Sequence, residues 1–226
     1  MGGASRGEEF CFKQVIDEIC DLRWPDLDEA GMIDAAWAYY FFSIQFQENM
    51  EVARALYPDD PKLRNLEREE SNTDNLSPWP NVAEPGEKMH HWEFMRRVLA
   101  LAPIPEAKRH RFEAAGARYL AAVREMDRET RALSIASYED GGLERVFRAI
   151  LKSRSTDNPV VAGFRYFLIA HIEFDSNPAM GHGALARHLK PDDRILPLWS
   201  AFYDLFVGFA PVLALPAPAS HSSRVA

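Results

Sequence analysis

Histidines and carboxylates crowd one short stretch late in the chain, HIEFDSNPAMGHGALARHL at residues 171–189. His171 and Asp175 are four residues apart, so a helix places both side chains on one face, which also carries the apolar Phe167. A buried imidazole or carboxylate costs free energy unless it is paired, hydrogen-bonded or bound to a metal. The stretch therefore predicts a metal site or a hydrogen-bonded pair, and the HxxxD spacing alone does not choose between them.

A third polar residue of this stretch, His182, favours the metal interpretation. It follows Asp175 by seven residues, and the Asn-Pro pair at 177–178 should interrupt the helix between them. Glycines on both sides of His182 permit a close backbone approach. We expect the chain to fold back here so that His182 returns toward the other ligands, whereas His188 is expected to be structural or exposed to solvent.

Imidazole and carboxylate groups also occur in earlier segments. Glu87 and His91 form an ExxxH pair at helical spacing, with Glu84 one turn earlier. Glu48 lies within an aromatic helical pattern, and Glu139 lies in the segment SIASYEDGG. Each acid by itself is more typical of a capped or solvated side chain, and the early carboxylate could come from Glu48, Glu84 or Glu87.

Taken together, three histidines and four carboxylates on separate helices are what two iron or manganese ions between bundle helices require. The chain has no CxxC and no HExxH motif, so structural zinc and zinc-peptidase chemistry are poor interpretations. The paired ExxH motifs of ferritin-like diiron proteins are also missing. The predicted metal ligands are Glu48, Glu87, His91, Glu139, His171, Asp175 and His182.

The sequence pattern predicts that the segments carrying these ligands are helices. Period-two alternation and hairpin turn pairs are lacking, which argues against a sheet. The pattern predicts an all-α, single-domain bundle of about seven helices over residues 1–214, followed by a disordered Pro/Ala/Ser tail at 215–226. The predicted helices are 7–22, 28–57, 85–103, 105–127, 127–153, one from 158 and one after 191. The fifth of these is expected to break at Gly141-Gly142. Residues 58–83 are expected to form a polar loop that holds at most one short helix.

Composition excludes several kinds of partner. The 226 residues carry a net charge of −8, and their lysines and arginines are scattered, so we expect no nucleic-acid partner. No run approaches 18 uncharged apolar residues, so no membrane span is expected. The lack of a signal-peptide pattern and the presence of only two cysteines predict a cytoplasmic protein.

These residues resemble the haem-oxygenase-like dimetal oxidases, a family of small all-α proteins. Tyr138-Glu139 is similar to a Tyr-Glu segment of that family, and His171 with Asp175 matches the start of its late HxxxDxxH motif. His91 looks like the family's early histidine. The chain departs from the pattern at His182, which follows the aspartate by seven residues where the family has three. The resemblance implies two Fe(II) ions and dioxygen as cofactors, and the departure concerns a ligand of the second iron.

The resemblance also implies a reaction. Members of similar length oxidise free aliphatic amino acids, so the expected reaction is oxygen-dependent C–H abstraction from isoleucine or a similar amino acid. Desaturation and closure of an azetidine ring would follow, as a step of antibiotic biosynthesis. An external electron donor and a homodimer are further expectations. An arginine would bind the substrate carboxylate, and the candidates are Arg96, Arg148 and Arg165.

Three other functions remain open on the sequence alone. A thiaminase-like hydrolase of the same fold would need a cysteine nucleophile, and Cys11 and Cys20 both lie in the first helix, away from the polar cluster. A haem-binding protein would need one axial histidine and an apolar pocket, which leaves the carboxylates unexplained. A non-enzymatic helical interaction module would need no metal.

Overall fold

The computed structural model describes residues 11–175 and 182–214, except for the side chain of Asp175. Within these residues the chain is all-α, and extended pairing is limited to the isolated bridges Thr73–Met89 and Trp79–Ala83. The predicted all-α, single-domain bundle is thereby confirmed, while the tail at 215–226 lies outside the described residues. The α-helices are α1 (Phe12–Cys20), α2 (Glu29–Leu56), α3 (Pro61–Ser71), α4 (His91–Ala100), α5 (Glu106–Arg124), α6 (Arg128–Ser137), α7 (Leu143–Ile150), α8 (Pro159–Asp175), α9 (His182–Ala186) and α10 (Leu196–Phe209).

Helix α2 forms the centre of the bundle. It begins at a capped end, where the Asp28 carboxylate accepts a hydrogen bond from the Gly31 amide at 2.8 Å. It packs against α3, α4, α5, α6, α8 and α10. Its Phe42 ring stacks on Phe202 of α10 with the centroids 3.9 Å apart. None of the described helices, α2 included, has both the length and the apolar character that crossing a membrane would require.

Helix α3 lies where the sequence predicted a loop with at most one short helix. The Asp60 carboxylate caps it by accepting hydrogen bonds from the amides of Lys62 and Leu63 at 2.8 and 3.2 Å. Pro61 occupies its first turn, which proline tolerates because that amide has no partner inside a helix. Leu63 and Leu66 are fully buried. The helix is therefore eleven residues long and anchored in the core.

Helix α4 begins at His91, six residues after the predicted start at 85. Gly86 adopts a φ of +75°, a left-handed conformation that interrupts a right-handed helix. Met89 and Thr73 exchange backbone hydrogen bonds at 3.0 and 3.4 Å, so this segment is tied to the chain that follows α3. The predicted start of this helix was therefore wrong.

The break predicted at Gly141-Gly142 is present. A π-helical turn, Tyr138–Gly142, joins α6 to α7, and Gly141 within it has a φ of +91°. Such turns are frequent at functional sites because they displace side chains from the regular helical register. Helix α8 begins as predicted, with the Asn158 side chain accepting a hydrogen bond from the Val160 amide at 3.0 Å. The turn carries Glu139 and α8 carries His171, two of the predicted ligands.

Two helical glycines give a matched test of the packing. A Cβ at Gly116 would lie 2.3 Å from the ring of Phe41, whereas a Cβ at Gly208 would meet nothing within 4 Å. Both changes to alanine remove the same backbone entropy cost, about 0.5–1 kcal/mol. We expect Gly208→Ala to raise the free energy of unfolding by that amount, and Gly116→Ala to lower it by about 1–3 kcal/mol through overpacking. Urea unfolding of both variants measures the difference, and equal effects would contradict the packing described here.

Candidate metal centre

Five buried side chains from five separate segments converge inside the bundle. Glu70 comes from α3, His91 from α4, Glu139 from the π-helical turn, His171 from α8 and His182 from α9. None of them is more than 8 % exposed. Glu70, His91 and His171 form one group, and Glu70, Glu139 and His182 form a second. Within each group the nitrogen and oxygen atoms lie within 4.8 Å of one another, so either group could hold a metal ion.

The first group is arranged around Nδ1 of His91. This nitrogen lies 2.6 Å from Oε2 of Glu70 and 3.1 Å from Nε2 of His171. The other ring nitrogen of each histidine faces an acceptor elsewhere. Nδ1 of His171 lies 2.8 Å from the carbonyl oxygen of Phe167, and Nε2 of His91 lies 3.2 Å from the amide oxygen of Asn75.

These outer contacts decide which ring nitrogens carry the protons. A carbonyl or amide oxygen only accepts, so Nδ1 of His171 and Nε2 of His91 are assigned as donors. With only these outer protons present, two ring lone pairs face each other across 3.1 Å, beside the Glu70 carboxylate. A cation between them would satisfy all three atoms. Donation of the outer N–H to a backbone carbonyl or an amide is also how metal-binding histidines are usually oriented.

The second group uses the other oxygen of Glu70. Oε1 of Glu70 lies 2.9 Å from Nδ1 of His182, and Oε2 of Glu139 lies 3.2 Å from the same nitrogen. This buried Oε1 of Glu70 has no hydrogen-bond partner among the described residues, despite the short distance. One carboxylate thus directs its two oxygens into two separate groups, the arrangement of a carboxylate that bridges two cations.

Charge and space at the cluster are also consistent with cations. Burial alone raises the pKa of the Glu70 carboxyl, but positive charge and hydrogen bonds from His91 and His182, when these rings are protonated, outweigh burial and hold that pKa well below its usual range. A metal ion in place of these protons would supply positive charge to the same carboxylate. A cavity of about 20 Å³ lies between Glu70, His91, Glu139 and His171, which is room for about one water-sized particle.

Aromatic rings exclude bulk water from the histidines. His171 stacks on Phe167 with the centroids 4.1 Å apart, and Phe147 approaches the same ring edge-on at 5.9 Å. His182 packs against Phe174 at 4.6 Å. In so apolar a setting an interaction between ions and charged ligands is stronger than in water.

A buried hydrogen-bond network holds the turn that carries Glu139. The Tyr119 hydroxyl donates to Oε1 of Gln45 at 2.7 Å, and Nε2 of Gln45 donates to the Tyr138 hydroxyl at 3.3 Å. The indole of Trp199 donates to the Ser137 hydroxyl at 3.0 Å. Burial raises the pKa of the Tyr138 phenol above its usual value, so this residue stays neutral. The network fixes both residues that precede Glu139.

The structure brings four of the seven predicted ligands together: His91, Glu139, His171 and His182. His182 reaches the cluster although it follows Asp175 by seven residues, as the Asn-Pro interruption predicted. The side chain of Asp175 lies outside the described residues. His188 is exposed at the surface and contacts Asp60, in agreement with its predicted place outside the site.

The predictions for Glu48 and Glu87 require correction. Glu48 accepts hydrogen bonds from Arg124 of α5 at 2.5 and 2.9 Å and lies outside both groups. Glu87 accepts from the Glu84 amide at 2.9 Å and from Arg97 at 2.7 Å, and both contacts lower its pKa. Because α4 begins only at His91, Glu87 and His91 do not share a helical face. Glu84 is exposed and belongs to neither group.

Glu70 is the candidate ligand that sequence reasoning missed. It lies in LEREES, a charged run that reads as a solvated surface. Its helical position gave a usable signal, since Leu63, Leu66 and Glu70 recur at intervals of three and four residues on one face. All three are buried.

The residues assigned to competing functions lie elsewhere. Neither group that could hold a metal includes a cysteine. Burial raises the pKa of the Cys20 thiol, which opposes formation of a nucleophilic thiolate. Of the candidate arginines, Arg96 pairs with Glu93 and Arg148 with Glu144. Arg165 donates to the carbonyl oxygens of two residues after α7, Leu151 and Ser153.

The close contact between α9 and the π-helical turn gives a prediction for the second group. A Cβ at Gly183 would lie 2.9 Å from the carbonyl oxygen of Glu139 and 3.2 Å from Cα of Asp140. Gly183→Ala should therefore push His182 away from Glu139 while leaving His91 and His171 in place. We expect metal affinity at the second group to fall by about 10–100-fold, as for loss of a supporting contact. Metal titration would then give one tight and one weak step, and two unchanged tight steps would contradict this view.

Comparison of the chain with protein-family models, with curated proteins and with solved structures found no match.

Proposed function

We propose that this chain is an oxygen-dependent oxidase that holds two Fe(II) ions and oxidises an aliphatic C–H bond of a small amino-bearing substrate. Glu70, His91 and His171 would hold one ion, and Glu70, Glu139 and His182 the other. The observation that carries the proposal is the placing of the two Glu70 oxygens, 2.6 Å from His91 and 2.9 Å from His182. A carboxylate shared in this way favours two neighbouring cations over one.

The choice of iron rests on ligand chemistry and on the resemblance to haem-oxygenase-like dimetal oxidases. Imidazole nitrogens suit iron and carboxylates suit hard divalent cations, so a mixed set supports Fe(II). Two ferrous ions would supply two electrons for the reduction of dioxygen and the oxidising power to break a C–H bond. Desaturation of the substrate supplies the other two electrons of the four that reduce O₂ to two waters. Each turnover would therefore draw two electrons from an external donor.

The chain's own residues would orient the ligands and keep the site dry. The Phe167 carbonyl and the Asn75 side chain fix the two histidine tautomers, so that the coordinating lone pairs face inward. Phe167 and Phe147 shield His171 from bulk water. Water exclusion protects a strong oxidant from side reactions and strengthens the electrostatic interactions within the site.

Anaerobic loading with Fe(II) tests the proposal. We expect about two iron atoms per chain, and rapid oxygen uptake when air is admitted together with small aliphatic amino acids such as isoleucine. Mass spectrometry should then detect products lighter than the substrate by about two mass units, corresponding to loss of two hydrogens. The His171→Ala variant should lose both the iron at the first group and the oxygen uptake.

Two outcomes would overturn the proposal in different ways. If the protein binds no divalent metal, there is no metal site. The cluster is then a buried hydrogen-bonded group in which a protonated His91 lies between Glu70 and His171. If the protein binds two ions but consumes no oxygen with any substrate, the metal site is supported and the oxidase reaction is ruled out.

A further inference from the structure

A cavity of about 280 Å³ adjoins the metal centre. Two ligand histidines, His171 and His182, form part of its lining. Its size is near the lower end of the range for ligand pockets, about 300–1,000 Å³, so it suits a molecule smaller than a typical drug. The remaining lining residues are Asn75, Leu76, Tyr166, Ile169, Ala170, Glu173 and Phe174.

One side of α8 forms most of this lining. Tyr166, Ala170 and Glu173 are spaced by four and three residues, and Ile169 lies one turn before Glu173, so these side chains share one stripe. This side of α8 is held in place by Tyr166, whose ring stacks on Trp79 with the centroids 4.3 Å apart. The cavity is therefore bounded on the α8 side by a packed helix.

The cavity has an apolar body and an acidic mouth. Ile169 is 41 % exposed, the one large hydrophobic side chain of the described residues to be exposed to this degree. Glu173 is also exposed, whereas His171 and His182 are buried, so the acid lies toward solvent and the histidines lie inside. Desolvation raises the pKa of Tyr166, and the negative charge of Glu173 adds to the effect, which places that charge near the apolar wall.

The charges of the lining select one kind of ligand. Among the described residues that line the cavity, Glu173 is a carboxylate and none is a lysine or an arginine. An anionic ligand would meet repulsion at this mouth, and a cationic ligand would meet a partner. The arginines that the sequence offered for a substrate carboxylate do not line the cavity.

We infer that this cavity binds the substrate of the proposed oxidase through its ammonium group, which pairs with Glu173, while a short aliphatic body extends along Ile169 and Ala170 toward His171. The inference rests on the proposed function and adds the specificity-determining residue. Of the two charged ends of an amino acid, the ammonium is the one that the described lining recognises. Asn75 lines the cavity and contacts His91 at 3.2 Å, so it connects the pocket to the metal ligands.

Three four-carbon probes of nearly equal shape test the inference: isobutylamine, isobutanol and isobutyrate. Each is titrated calorimetrically into the full chain, both metal-free and loaded anaerobically with Co(II). The visible absorption of Co(II) also reports any ligand that reaches the metal. We expect isobutylamine to bind most tightly and isobutyrate least tightly, and isobutylamine to leave the Co(II) spectrum largely unchanged, because its nitrogen is held at Glu173 and its alkyl end carries no ligand atom.

Two variants at Glu173 and one control complete the test. Because Glu173 is exposed, Glu173→Gln should fold normally and weaken isobutylamine binding by about 10–100-fold, the usual loss for a charge-assisted contact, while isobutanol binding stays unchanged. Glu173→Lys should reverse the preference toward isobutyrate. Glu144→Gln, which removes an acid that pairs with Arg148 on α7, should change nothing.

The outcomes separate this inference from the proposed function. If isobutyrate or isobutanol binds most tightly, or if Glu173→Gln leaves amine binding unchanged, the inference is wrong, although Co(II) uptake would still support the metal site. If the protein takes up no Co(II), the proposed function fails. Amine binding to the metal-free protein and its dependence on Glu173 would then decide the inference separately.

Discussion

Replacing Glu70 by glutamine is expected to abolish tight metal binding at both groups. The amide keeps the size of the carboxylate but removes its charge and offers only one good ligand atom where the carboxylate offers two. Loss of a group that only hydrogen-bonds a metal ligand already costs about 10–100-fold in affinity, so loss of the proposed shared ligand should cost at least about 100-fold for each ion. Metal analysis after desalting should fall from about two ions per chain to nearly zero.

Two glutamates serve as matched controls for this variant. Glu69 precedes Glu70 in α3 but contacts the exposed Arg68, and Glu87 is held by Arg97 outside the cluster. Glu69→Gln and Glu87→Gln should both retain two ions per chain. Circular dichroism should show equal helix content in all three variants. Full metal content in Glu70→Gln, or equal losses in all three, would contradict the role assigned to Glu70.

The histidines were the most predictable part of the site. His171 follows Phe164, Phe167 and Leu168 by seven, four and three residues, so a helix places all four side chains on one face. That face is apolar and is expected to lie in the core, and His171 is indeed buried. His182 could be predicted because an Asn-Pro pair, here at 177–178, is expected to interrupt a helix and because glycines flank the residue in the sequence. Their local sequence thus contained both the chemistry and the direction of these side chains.

The carboxylates were harder to predict, because their partners lie far away in sequence. Glu48 occurs in an apolar pattern that suggested burial, but Arg124 reaches it from 76 residues away. Glu70 occurs in a charged pattern that suggested solvent, but Leu63 and Leu66 turn its helical face inward. In both cases the residues adjacent in sequence suggested the wrong environment for the carboxylate. The three-and-four spacing along α3 was the better guide, and recognising it required first predicting a helix in a segment punctuated by prolines.

Binding of metal should stabilise the folded chain strongly. Metal-free, the cluster buries two carboxylates and turns the imidazoles of His91 and His171 toward each other, a costly arrangement that divalent cations would relieve. An ion that binds only the folded chain, at a free concentration about 1,000 times its Kd, adds about 4 kcal/mol to the free energy of unfolding. For a chain of this size each kcal/mol raises Tm by about 2–4 °C, so one tightly bound ion should raise Tm by about 8–16 °C.

Differential scanning calorimetry with and without Fe(II) or Co(II), under anaerobic conditions, measures this increase. A chelator should reverse it completely, because the stabilisation depends on free metal and not on a change in the chain. His182→Ala should retain the part of the Tm increase that comes from metal at the first group, since His91 and His171 remain. Glu70→Gln should show almost no Tm increase with metal. An unchanged Tm in the unmodified chain at millimolar metal would mean that the short contacts of Glu70 are satisfied by protons. The buried cluster would then be a hydrogen-bonded element of the core.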